Sequence, residues 1–105
     1  MVDRIQREVK ERGLRQGIEE EIIYSVTTTP WGSSPTDITV KAYDVDDDLT
    51  DVSSTVLSGS ASANGDVISL PTLKSLTAGK LYRVEVKFTS GSQIFECFFE
   101  VEAER

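Results

Sequence analysis

Five carboxylates crowd into eight residues at Asp44-Val45-Asp46-Asp47-Asp48-Leu49-Thr50-Asp51, the densest run of potential ligand atoms in the chain. Carboxylate oxygens are the donors a hard cation such as calcium needs, so Asp44, Asp46, Asp47, Asp48 and Asp51 are the candidate metal ligands. The run departs from an EF-hand loop, because Leu49 takes the place of the sharp-turn glycine and Thr55 stands where the bidentate glutamate would be. The competing expectation is a solvated loop whose like charges keep it mobile and resist aggregation. Trp31, between Pro30 and Pro35, is a second candidate: an aromatic plug over the end of a core, or an exposed anchor for a protein or a sugar.

Other chemistries lack their residues. The 105 residues contain no histidine, which removes the commonest general base, the triads built on it and most catalytic zinc sites. No glycine-rich phosphate loop occurs, and the reading is of a non-enzyme that needs no cofactor. The single Cys97, between Phe95 and Phe99 on an alternating segment, reads as a small core hydrophobe. A net charge of −7 opposes phosphate and anionic lipid, so neither nucleic acid nor a membrane surface is an expected partner. Neither a signal peptide nor a run of about 20 apolar residues is present, so the expected location is cytoplasmic as synthesised.

The elements that must position these residues are short strands. Tyr82, Val84, Val86 and Phe88 alternate with Arg83, Glu85 and Lys87. After a turn-rich spacer at 89–93, Phe95, Cys97, Phe99 and Val101 alternate with Glu96, Glu100 and Glu102, which predicts an antiparallel hairpin with one buried face. Ile22 to Thr27 and Ile38 to Tyr43 alternate in the same way, and weaker strands are expected at about Val52 to Leu57 and Val67 to Leu70. Asn64-Gly65 is a tight-turn dipeptide. Six or seven short strands without intervening long helices predict an all-β sandwich.

The N-terminal stretch reads differently. Asp3 with Arg7, Arg4 with Glu8, Arg7 with Glu11 and Glu8 with Arg12 are oppositely charged pairs at i,i+4 spacing, and Gly13 fits a left-handed helix end. A short helix over residues 3–12 is expected, with 1–18 as helix and linker and 19–105 as the sandwich. At about 15 Å it would be marginal alone, so its stripe of Val2, Ile5 and Val9 must dock, on its own sandwich or on a partner. Residues 1–15 hold five basic and three acidic side chains, a weakly basic arm on an acidic body that suits contact between copies.

The segment Leu76-Thr77-Ala78-Gly79-Lys80-Leu81-Tyr82 carries a family likeness. Leu76 six residues before Tyr82, with Gly79 in the turn between, resembles the tyrosine corner of immunoglobulin-like and fibronectin type III domains. The resemblance spans about residues 20–103 and implies an immunoglobulin-like antiparallel sandwich, with Tyr82 hydrogen-bonded to upstream backbone. It also implies that the acidic run shares an end with Ser90–Gln93 and that Trp31 sits at the opposite end. The disulfide of antibody domains is impossible with one cysteine. A small domain of this type with a helical arm and a Thr/Ser-rich body resembles, more loosely, the accessory proteins of phage and prophage virions at tails, necks or capsid surfaces. The expected function is therefore a structural or assembly module that binds protein. The alternative is a ligand-binding or adhesive module using the acidic run with calcium, or Trp31 on carbohydrate.

Overall fold

The computed structural model describes residues 8–10, 14–29 and 31–105. Two sheets face each other. The larger holds β1 (Glu8–Lys10), β2 (Arg15–Gly17), β4 (Thr36–Asp44), β5 (Thr50–Asp51), β9 (Leu81–Ser90) and β10 (Gln93–Glu104), ordered β1-β10-β9-β4-β5, with β2 also on β10. The smaller holds β3 (Ile22–Thr27), β6 (Leu57–Ser58), β7 (Ser62–Asn64) and β8 (Val67–Leu73), ordered β3-β8-β6 with β7 also on β8.

The longest ladder is the hairpin of β9 and β10, paired antiparallel from Leu81 with Glu102 to Ser90 with Gln93. Its inward set is the alternating one: Tyr82, Val84, Val86 and Phe88 on β9 and Cys97, Phe99, Val101 and Ala103 on β10 are all buried. From the other sheet, Val26, Ile68, Leu70 and Leu73 close the core. Burying a large aliphatic or aromatic side chain contributes about 1.5–3 kcal/mol, so inward positions of strands from both sheets dominate stability. The β3–β8 register shifts between Ile23 and Ser25, which pair with Thr72 and Ser69. Leu70 and Pro71 lie opposite that shift, and proline has no N–H to offer a ladder.

Four expectations change. Glu8–Lys10 is a strand paired in parallel with Phe98 and Phe99, not part of a helix; the rest of the expected helix, residues 3–7 and 11–12, lies outside the described residues. Ion pairs at i,i+4 contribute about 0.2–0.5 kcal/mol each and do not outweigh the ladder and edge cover that β10 offers. Arg15–Gly17 likewise pairs with Glu102–Glu104, so this stretch is a strand of the larger sheet and not a linker.

The expected strand at 52–57 is mostly a helical turn, α1 (Ser53–Val56), before the two residues of β6. The Ser53 hydroxyl accepts from the Ala42 N–H at 2.9 Å, where a continuing ladder would offer a backbone carbonyl. Finally, the ends are rearranged. Asp44 lies opposite Tyr82 and Thr36 opposite Thr89, so the acidic run sits at the Tyr82 end while Trp31 shares the other end with Ser90–Gln93. β4 and β9 are antiparallel neighbours, and that alone requires the exit of one to meet the entry of the other.

Candidate interaction surfaces

The acidic run is folded, and the carboxylates of Asp44, Asp46 and Asp51 accept from backbone, from Ser53 and from one lysine. Val45–Asp47 forms a 3-10 turn whose N-cap, Asp44, accepts through Oδ1 from the Asp46 N–H at 3.0 Å. Asp44 is 5% exposed, and its Oδ2 accepts from Lys80 Nζ at 2.6 Å. Asp46 Oδ2 accepts from the Leu81 N–H at 2.8 Å. Asp51 Oδ1 accepts from both the hydroxyl and the N–H of Ser53, at 2.6 and 2.9 Å. Those Ser53 hydrogen bonds hold the Asp51 carboxyl below its ordinary range, and the bond to Asp44 raises the Lys80 amine. Asp48 and Leu49 take left-handed φ of 52° and 57° as the chain turns towards β5, and the Asp47 carbonyl accepts from the Thr50 hydroxyl at 2.6 Å. Among the described residues, no three acidic, cysteine or histidine side chains converge as a cation cage.

This network meets the corner. The Tyr82 hydroxyl accepts from the Thr77 N–H, five residues upstream, at 2.8 Å, and Leu76 is buried beneath it. Gly79 turns the connection with φ of 86°, a conformation that costs glycine least, and its N–H donates to the Ala103 carbonyl at 2.9 Å. The Ala103 N–H returns a bond to the Lys80 carbonyl at 2.9 Å. Corner, acidic run and end of β10 thus form one hydrogen-bonded end of the sandwich.

At the opposite end Trp31 is half-buried and packs against the core, edge-on to Phe88 with ring centroids 6.2 Å apart. Its loop is held by buried Thr28, whose N–H donates to the Asp66 carbonyl at 2.7 Å and whose carbonyl accepts from the Trp31 N–H at 2.8 Å. The Asp66 carboxylate accepts from Thr29 and from the Ser34 N–H, both at 3.2 Å. Of the expected apolar stripe, Val9 lies in β1, and Val2 and Ile5 lie outside the described residues.

Sequence reasoning missed Gln16. It is fully buried on β2 and bridges the sheets: its Nε2 donates to the Leu73 carbonyl at 2.7 Å and the Glu20 carbonyl at 3.0 Å, while its Oε1 accepts from the Tyr24 hydroxyl at 3.0 Å. Burial, with Glu20 nearby, raises the Tyr24 phenol above its ordinary value. The available signal was the alternation of Leu14, Gln16 and Ile18, an inward period in a stretch read as linker.

The two outer faces differ in charge. On the larger sheet the cross-strand rows are Thr39–Lys87–Glu96, Lys41–Glu85–Phe98 and Tyr43–Arg83–Glu100. Arg83 lies over the Phe98 ring at 4.4 Å and bonds Glu100 at 3.3 Å. A shallow groove of about 230 Å³ runs between Thr39, Lys41 and Tyr43 on one side and Lys87 and Glu96 on the other. The strands of the smaller sheet, by contrast, contain no Asp, Glu, Lys or Arg. Its outer face shows Ile23, Val67 and small hydroxyl side chains. No helix among the described residues is long and apolar enough to cross a membrane. No protein-family model matches the chain, and neither a curated protein nor a solved structure matches it significantly.

Proposed function

We propose that this chain is a non-enzymatic structural or assembly module on an immunoglobulin-like sandwich, serving as an accessory subunit of a phage or prophage virion. The immunoglobulin-like reading is supported by the strand order. β3, β8 and β6 face β4, β9 and β10, a grouping of the kind seen in such domains, and a buried tyrosine opens the next-to-last strand. The observation that carries the assembly reading is the division of charge between the sheets. Every charged residue in a described strand belongs to the larger sheet, which leaves a second broad face uncharged. A charge-free, hydroxyl-rich sheet beside a charged one gives a subunit two unlike faces, as required to sit between neighbours in a larger particle.

The genes that flank the coding sequence test the virion assignment. A run of head and tail genes is the expected finding, and a setting of metabolic genes would overturn it.

A further inference from the structure

We infer that the open edge of β3 is a contact site for a second copy of this chain, which adds its own β3 in antiparallel fashion across a two-fold axis. The other sheet edges are treated differently among the described residues. β1 and β2 cover β10, β5 covers the end of β4, and β6 and β7 share the far side of β8. β4 is also one-sided from Thr36 to Lys41 but carries Asp37 and Lys41 there, whereas β3 offers six consecutive uncharged residues, Ile-Ile-Tyr-Ser-Val-Thr, with a ladder on one side only.

Edge strands that must stay single are blunted by lysine, proline or charge. β3 has none of these, and Ile23 on its outer face is 63% exposed. Charge selects the occupant. At −7, two copies repel through most of their surfaces, whereas no charged residue occurs from Ile22 through Thr36 or in β8 beside it. Along this edge two such chains meet without opposed strand charges. Antiparallel self-pairing also presents the same groups from both sides, as a two-fold contact requires.

The inference rests on the assembly reading and names its partner. A virion subunit that binds only other proteins would fail here without failing there, and a self-associating chain outside a phage gene cluster would do the reverse. Sedimentation velocity on the full chain at about 100 µM, a range that detects micromolar affinity, is the test. A dimer is expected, and it should tighten as salt screens the residual repulsion. Ile23→Lys should weaken it about tenfold or more, while Ile94→Lys should leave it unchanged, since Ile94 is as exposed at 64% but lies on the charged sheet. Ser25→Lys on the same edge replaces Ile23→Lys should the latter fail to fold.

A wild-type monomer at that concentration would overturn the inference, as would loss of the dimer in Ile94→Lys alone. Deletion of residues 1–7 that creates a dimer from a monomer would also overturn it, by assigning the edge to the chain's own N-terminal residues.

Discussion

The two sheets share one core but meet solvent in opposite ways. Inward, β9 contributes Val84, Val86 and Phe88 and β8 contributes Ile68, Leu70 and Leu73, all buried and apolar. Outward, the larger sheet spends its surface on cross-strand pairs such as Arg83–Glu100, and the smaller sheet holds no charged strand residue at all. Folding demands only the first pattern, since any polar outer face satisfies the water side of a sandwich. Core packing therefore does not require the charge-free outer face of the smaller sheet.

The comparison can be broken first from inside. Phe88→Ala should cost about 3–5 kcal/mol and Ile68→Ala about 2–5 kcal/mol in denaturant unfolding. Comparable losses would confirm that the inner faces are equivalent, and a loss below 1 kcal/mol at Ile68 would show that the smaller sheet is only loosely held. Gln16→Ala tests the link between the sheets: it leaves the Tyr24 hydroxyl and the Leu73 carbonyl without that partner, for about 2 kcal/mol. Tyr82→Phe removes the bond from Thr77 and should cost about 1 kcal/mol, with the corner loosening ahead of β8 in hydrogen exchange.

The smallest effects belong to the outer faces. Arg83→Ala should change stability by at most about 1 kcal/mol, in a salt-dependent way, while Thr27→Ala on the smaller sheet should show no salt dependence.

Titration separates the corner end from the bridge between sheets. Tyr24 and Lys80 are raised above their ordinary values of 10.0 and 10.5, so each binds its proton more tightly when folded. Their contribution is complete below about pH 10 and is lost as pH rises through the folded values. Asp51 is lowered from 3.8, so its contribution is present above that pH and is lost on acidification. Stability should form a plateau between these limits, with an alkaline limb that Tyr24→Phe makes shallower and an acid limb that Asp51→Asn makes shallower. An unchanged alkaline limb in Tyr24→Phe would show that burial and Glu20 do not perturb the phenol.

What could be read from residue order follows from how local each signal is. The β9–β10 hairpin was legible because its inward and outward sets alternate without interruption. The turn glycines at 65 and 79 stand where the chain takes positive φ. The N-terminal segment misled because its ion pairs fit a helix, yet the competing strand depends on β10, some 90 residues away in sequence. Asp46, Asp47, Asp48 and Asp51 are exposed, as a solvated loop requires, but the bonds from Lys80 to Asp44 and from the Leu81 N–H to Asp46 were not legible because both donors lie more than thirty residues downstream.

Residue order is enough to dictate an all-β body, the faces of its last two strands, the turn at Gly79 and an inward Cys97. Alternation and turn chemistry act over a few residues and need no partner to be read. Tertiary structure alone decided that Gln16 would bridge two sheets, that Asp44 would be buried against Lys80, and that all strand charge would gather on one sheet. It also decided that β3 would end the smaller sheet among the described residues. Each of these depends on which strands become neighbours, and neighbours are chosen by the packing of the whole chain.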